Sequence, residues 1–234
     1  RDFLDYTLVP SGLLILGAYH AWLLHCIVHH SSTTVIGLNA INRRFWVRAM
    51  MQQDSKNGIV AVQTLRNNIM ASTVLASTAI LLSSLIAVLM SNNDGGNSAG
   101  RVDFGNRSLL GLSIKFFCIL VCFLGGFLLT VQSIRYYSHV SILINVPVDQ
   151  RCRSHRLYVE YVGRTLNKAS YFWSMGLRAF YFSFPLFLWI FGPIPMFISC
   201  PILVLLLYFL DFTFEKDQGK VEVEEEEEKE QNNK

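Results

Sequence analysis

Ile69–Met90 reads IMASTVLASTAILLSSLIAVLM, a stretch of 22 residues that contains no formal charge, no glycine and no proline. As an α-helix it rises about 33 Å at ~1.5 Å per residue, enough to cross a hydrocarbon core of about 30 Å. Three more apolar segments are long enough to cross as well, at residues 5–28, 108–134 and 180–210. The sequence therefore predicts an all-α integral membrane protein with four transmembrane helices, in a membrane domain of residues 1–214.

The composition agrees with this class. Hydrophobic residues make up 52% of the 234 positions and charged residues 16%, whereas soluble domains usually carry about 25% charged residues. Residues 1–211 hold 16 basic and 8 acidic side chains, while residues 212–234 hold 4 lysines and 9 acids. The like-charge segment 215–234 is predicted to be a disordered acidic tail. The five cysteines are scattered without metal-type pairs, so neither a disulfide framework nor a metal site is predicted.

The first and fourth apolar segments each leave a choice. Phe3–Val28 has the length of a signal peptide but lacks a basic start followed by a small-residue cleavage site, so we expect a retained helix. In the fourth segment, Gly192, Pro193 and Pro195 leave pieces of 12 and 15 residues. Each piece is shorter than the ~20 residues that a crossing needs. We predict one crossing with a proline kink, and a re-entrant hairpin is the alternative.

The loop charges predict an orientation. Residues 29–68 and 135–179 contain twelve Lys and Arg, whereas the remaining loop holds only Arg101 and Arg107. Both basic loops also show helical periodicity, near residues 38–51 and, as an amphipathic pattern, over 158–180. Basic loops stay in the cytoplasm. We therefore predict cytoplasmic basic loops and non-cytoplasmic termini in a plasma membrane or an endomembrane.

Lys115 lies about seven positions inside the third apolar segment, where a charge is costly. Its neighbours at helical spacing are small residues, which are typical of a surface that packs against other helices. In the four-crossing arrangement Asp5 and Asp211 lie at the same level of the membrane. The three residues are predicted to form an intramembrane ionisable cluster that serves as an ion pair or as a cation or proton site. A lysine that only extends towards the headgroups is the simpler interpretation.

His20 is a possible polar residue inside the first apolar segment. A haem would need a second imidazole on a facing helix, and His139 is the single candidate. We therefore predict a hydrogen-bonded histidine near the interface and no cofactor.

A cluster of arginines and aromatic residues follows the first crossing, and the amphipathic segment 158–180 carries further basic residues. This composition suits anionic lipid headgroups, which attract each nearby basic residue by about 1 kcal/mol. The alternative occupant is a protein partner, and nucleic acid is not expected beside a bilayer. The residues predicted to bind lipid or a partner are Arg43, Arg44, Trp46, Arg48, Arg164 and Lys168.

No phosphate-binding loop, nucleophile motif or paired catalytic carboxylates occur, so we do not expect an enzyme.

Several short motifs resemble one known family. They are TTVIGLNA at 33–40, RRFWV at 43–47, AVQTLRN at 61–67 and LWIFGP at 188–193, together with Lys115 at the start of the third crossing. The chain resembles, over residues 3–214, a plant and bacterial multi-pass membrane family that is catalogued only as a domain of unknown function, the one numbered 599. It is most similar to the plant branch. The resemblance implies a membrane location and a shared helical fold, and it implies no activity.

Two functions follow from these features. The first is a non-enzymatic membrane protein whose basic cytoplasmic face binds anionic lipid or a protein partner. The second is an oligomeric transporter or channel component that uses Lys115, Asp5 and Asp211, because interrupted crossings often flank ion sites.

Overall fold

The computed structural model describes residues 2–30, 33–51, 55–94, 109–146 and 153–212. The predicted acidic tail, residues 215–234, lies outside these ranges. The described residues form six helices, which confirms the all-α prediction. They are α1 Asp2–His29, α2 Val35–Met50, α3 Ser55–Asp94, α4 Leu109–Leu143, α5 Arg153–Phe191 and α6 Pro193–Asp211.

Five of these helices contain a segment that is long and apolar enough to cross a membrane, so the predicted count of four is wrong. The segments are Asp5–His29, Asn57–Ser91, Gly111–Leu143, His155–Phe191 and Pro193–Asp211. The error lies in the last segment. The amphipathic stretch before Phe180 continues without interruption into the apolar stretch that ends at Phe191. Each side of the break at Gly192 is therefore long enough to cross by itself.

The break itself is a tight reversal between α5 and α6. Gly192 has a φ of 152°, a conformation that residues with a Cβ rarely adopt. Pro193 follows as the first residue of α6, where its missing N–H is not needed by the helix. Gly192 thus separates two antiparallel helices, α5 and α6. Pro193 and Pro195 both lie in the first turn of α6. The predicted single kinked crossing is replaced by a helical hairpin.

Contacts with α1 establish the direction of the hairpin. Trp189, near the end of α5, contacts Asp5 at the start of α1. Asp211, at the end of α6, contacts Tyr19 in the second half of α1. Helix α6 therefore runs parallel to α1. We call the end of the bundle that holds Gly192 the hairpin end, and the opposite end the α2 end.

The described chain begins and ends at opposite ends of the bundle. Asp5 lies at the hairpin end, whereas Phe212 forms an antiparallel bridge with Thr34, immediately before α2. The five long helices run along the bundle in alternating directions, and an odd number of such passes brings the chain out opposite its start. The prediction that both termini lie on one side of the membrane assumed four passes, and the sides themselves stay a prediction.

Three helices are much longer than a bilayer is thick. Helices α3, α4 and α5 contain 40, 35 and 39 residues, which correspond to about 60, 52 and 58 Å at 1.5 Å per residue. Their additional turns lie at the α2 end, where α2 packs on them. The core of this region contains Val47, Leu65, Val140 and Val162, none of which is exposed. The predicted basic loops are thus largely helical and form a four-helix layer beyond the apolar bundle.

Candidate functional site

Lys115 and Asp5 lie close together at the hairpin end. The indole Nε1 of Trp189 donates a hydrogen bond to Asp5 Oδ1 at 3.2 Å. The ammonium group of Lys115 lies 5.3 Å from the centroid of the same indole ring, within the range of a cation–π interaction. Trp189 therefore bridges the two charged residues. It was not among the residues that the sequence predicted.

Asp211 does not join this pair, so the predicted cluster of three ionisable residues does not form. Its Oδ1 accepts a hydrogen bond from Arg178 Nη2 at 2.5 Å, and its Oδ2 accepts one from the Tyr19 hydroxyl at 2.7 Å. The reversal at Gly192 explains the error. The 19 residues of α6 carry Asp211 about 28 Å away from the hairpin end.

His20 extends the group around Asp211. Its Nδ1 lies 2.8 Å from the carbonyl oxygen of Leu16, and its Nε2 lies 3.3 Å from Arg178 Nη1. A carbonyl only accepts and a guanidinium only donates, so the geometry requires the proton on Nδ1 and the lone pair on Nε2. Both ring nitrogens are thus engaged within the protein. Arg178 belongs to the predicted basic loop, residues 135–179. Aromatic and apolar residues flank it in the sequence, and that pattern is the signal for its burial.

The predicted lipid-binding residues lie at the α2 end, on α2 and on the first turns of α5. Arg44, Arg48, Arg164 and Lys168 are exposed, and Trp46 is half-buried against the core. Arg164 pairs with Glu160 one turn earlier, an exposed ion pair that contributes little stability. Arg44 lies against Gly163, where α2 meets α5. These four exposed side chains, together with the half-buried Trp46, form what we call the basic face.

Arg43 differs from the other arginines of α2 because it points into the bundle. Its Nε donates to Asn167 Oδ1 at 2.9 Å, and Asn167 Nδ2 donates to the carbonyl oxygen of Ala40 at 3.0 Å. Burial lowers the pKa of the Arg43 guanidinium from its usual value. Arginine nevertheless stays protonated at neutral pH. A positive charge is thus held between α2 and α5.

A polar cavity of about 190 Å³ adjoins Arg43. The side chains of four helices meet there. The lining residues are Arg43, Asn68, Ala71, Tyr137, Ser170 and Trp173. Of these, the sequence had indicated only Arg43, because nothing in the pattern of a single helix shows which polar residues of different helices will meet.

Within the described residues, no group of three or more His, Cys, Asp and Glu side chains is placed to hold a metal ion. The predictions of no metal and no cofactor remain predictions.

The comparisons with known proteins give one match. The family described as "Protein of unknown function, DUF599" matches residues 7–216 of the chain. The chain belongs to the DUF599 family. Membership in DUF599 confirms the resemblance seen in the motifs, while the assignment to the plant branch stays a prediction. Neither a curated protein nor a solved structure matches the chain.

Proposed function

We propose that this DUF599 chain is a non-enzymatic integral membrane protein whose α2 end faces the cytoplasm and binds anionic lipid headgroups. The proposal treats residues 1–214 as one membrane domain. The observation that carries it is the exposure of three basic side chains, Arg44 and Arg48 on α2 and Lys168 on α5, at the end of the bundle where α2 packs on α5. The excess of basic residues in the segments that form this end supports a cytoplasmic orientation.

The geometry favours lipid over a soluble ligand. The basic face lies where the long helices leave the apolar layer, so its side chains reach the headgroup region. Arg48 lies 5.7 Å above the ring of Phe45, and Phe45 is itself exposed. An aromatic ring beside basic side chains is typical of segments that lie at a membrane interface.

Spin-labelled lipids provide the test. The protein is reconstituted in phosphatidylcholine vesicles, and electron paramagnetic resonance measures the immobilised fraction of labelled phosphatidylserine and labelled phosphatidylcholine. We expect the wild type to prefer phosphatidylserine several-fold, with a preference that falls as salt is added. The triple variant Arg44→Gln, Arg48→Gln, Lys168→Gln is expected to lose most of it.

A matched control removes charge from the loop between α3 and α4. The variant Arg101→Gln, Arg107→Gln is expected to keep the preference. A wild type that immobilises both lipids equally would refute the proposal, and so would a triple variant with an unchanged preference.

A second candidate function is an oligomeric transporter or channel component. The observation in its favour is the placement of Lys115 beside Asp5, since ionisable residues inside membrane segments often mark ion pathways. Asp211 has no part in this version, because it pairs with Arg178. Ion or proton flux into liposomes, measured for the wild type and for Lys115→Met, tests it. Flux equal to that of empty vesicles would eliminate this function.

A further inference from the structure

We infer that the cavity between α2, α3, α4 and α5 is a binding site for the phosphate group of an anionic phospholipid, with Arg43 as its cationic partner. The inference rests on the proposed function and narrows it from a diffuse basic face to one site.

Arg43 brings a positive charge into a half-buried position. Among the residues that the structure describes, no carboxylate lies within 4 Å of its guanidinium. Its Nε is used by Asn167, which leaves the two terminal nitrogens to donate elsewhere. A buried charge is stable only when it is paired or well hydrogen-bonded. The cavity beside Arg43 is therefore suited to an anion.

The other polar side chains of the lining can donate hydrogen bonds to the same anion. Trp173 Nε1 is buried, and within the described chain it has no hydrogen-bond partner. An indole N–H can only donate, and buried donors in native proteins nearly always have an acceptor. Asn68 adds an amide, and Tyr137 and Ser170 add hydroxyls that lie within reach of each other. No acidic side chain lines the cavity.

The number of donors suits the several oxygens of a phosphate group. A guanidinium binds phosphate oxygens through two parallel N–H donors, and the neutral donors of Trp173, Asn68 and Tyr137 can serve the other oxygens. The volume of about 190 Å³ is several times the roughly 30 Å³ that one water molecule occupies in the liquid. A phosphate group and part of its ester therefore have enough space.

The depth of the cavity indicates that the phosphate comes from a lipid. Trp173 precedes the end of α5 by about 18 residues and Asn68 precedes Ser91 by about 23, which correspond to roughly 27 and 35 Å. A hydrocarbon core measures about 30 Å. When the hairpin end lies at one surface of the membrane, the cavity lies at the headgroup level of the other surface.

The experiment compares two arginines of the α2 end, Arg43 beside the cavity and Arg66 on the exposed surface of α3. Protein is extracted from vesicles of phosphatidylcholine that contain about one-tenth phosphatidic acid, and native mass spectrometry counts the lipids retained on each chain. We expect the wild type to retain one phosphatidic acid. Arg43→Gln is expected to weaken retention by about tenfold, the scale of one lost charge-assisted interaction. Arg66→Gln, which changes an exposed arginine of α3 outside the basic face, should stay within about twofold, since exposed charges contribute little.

Two conservative variants keep the test decisive if Arg43→Gln does not fold. Trp173→Phe and Tyr137→Phe each remove one donor and keep an aromatic ring, smaller than the original in the first variant and of the same shape in the second. Each is expected to weaken retention several-fold. Retention unchanged in both would overturn the inference.

A titration with inorganic phosphate in pure phosphatidylcholine nanodiscs, followed by tryptophan fluorescence, distinguishes the source of the anion. Tight binding of inorganic phosphate without retained phosphatidic acid would overturn the assignment to lipid.

The failure of this inference differs from a failure of the proposed function. If Arg43→Gln and Arg66→Gln reduce retention equally, the cavity is not a specific site, and the positive charge of the α2 end as a whole attracts anionic lipid. If wild type retains phosphatidic acid no better than phosphatidylcholine and also shows no preference for phosphatidylserine, both fail.

Discussion

Arg178 of α5 and Asp211 of α6 form an ion pair inside the apolar bundle, with side chains that are only 16% and 9% exposed. Tyr19 and His20 of α1 bind the same two residues. Helices α1, α5 and α6 thus meet at one polar contact, which lies about 28 Å along α6 from Gly192. The contact sets how far α6 extends along α1 and α5.

The first prediction concerns the loss of one partner of this ion pair. Asp211→Asn leaves the Arg178 guanidinium buried without a counter-charge, and we expect a loss of about 3–5 kcal/mol in the free energy of unfolding. Tyr19→Phe removes a single hydrogen bond to the carboxylate and should cost less, about 1.5–3 kcal/mol. Reversible denaturation in mixed micelles, followed by circular dichroism, measures both.

A double variant distinguishes the effect of an unpaired charge on stability from the effect of lost packing. Arg178→Met with Asp211→Leu replaces both charged groups by apolar ones. It should be more stable than Asp211→Asn, because no uncompensated charge remains. A double variant as unstable as Asp211→Asn would mean that packing, and not charge, accounts for the loss.

The second prediction concerns the close contact of α4 and α5 at Gly176. A Cβ added at this position would lie 2.7 Å from Thr130 Cγ2, and Thr130 is held by its hydroxyl bonds to the backbone of its own helix. Gly176→Ala is therefore expected to destabilise the bundle by about 1–3 kcal/mol. Thermal unfolding in detergent measures the change.

Gly125→Ala is the matched control for this contact. A Cβ at Gly125 would meet nothing within 4 Å, and alanine favours a helix over glycine by about 1 kcal/mol. The variant should be neutral or slightly stabilising. Equal destabilisation by both substitutions would contradict the close packing at Gly176.

The third prediction concerns the side of the membrane on which the C-terminal segment lies. Phe212 lies beside Thr34 at the α2 end, so a tag after residue 220 should share a side with a tag at residue 53. A tag at residue 97, between α3 and α4, should lie on the opposite side. Protease protection of each tag in sealed vesicles gives the answer. A C-terminal tag on the same side as residue 97 would favour four crossings over five.

The fourth prediction concerns the acidic segment that follows Phe212. Residues 212–234 carry 9 acids and 4 lysines, and they continue from the end of the bundle that holds the basic face. An acidic segment near this face lowers its positive potential. Deletion of residues 215–234 should raise the preference for spin-labelled phosphatidylserine by about two- to fivefold.

A full-length variant provides the control for this deletion. Replacement of the acids of this segment by glutamine should have the same effect as the deletion if charge is the cause. If both variants keep the wild-type preference for phosphatidylserine, the acidic segment does not influence the basic face.

The sequence predicts local structure well and long-range partners poorly. The segment 69–90 lies within α3, residues 109–134 of the third predicted segment lie within α4, and the predicted helix over 38–51 corresponds to α2. The predicted count of four does not match the five long apolar helices, because the last predicted segment began at Phe180 and left out the amphipathic first part of α5. Asp211 was therefore placed beside Lys115 when its partner is Arg178.

The sequence by itself determined that this DUF599 chain is helical, apolar enough to enter a membrane and basic at one group of loops. Those properties depend on composition and on helical periodicity, and both can be read from the residues of each segment without knowledge of the others. Only the tertiary structure decided that α5 and α6 form a hairpin, that Asp211 meets Arg178, and that Arg43 faces a cavity with Trp173. The physical reason is that such contacts join residues far apart in the chain, and their formation depends on how the six helices pack together.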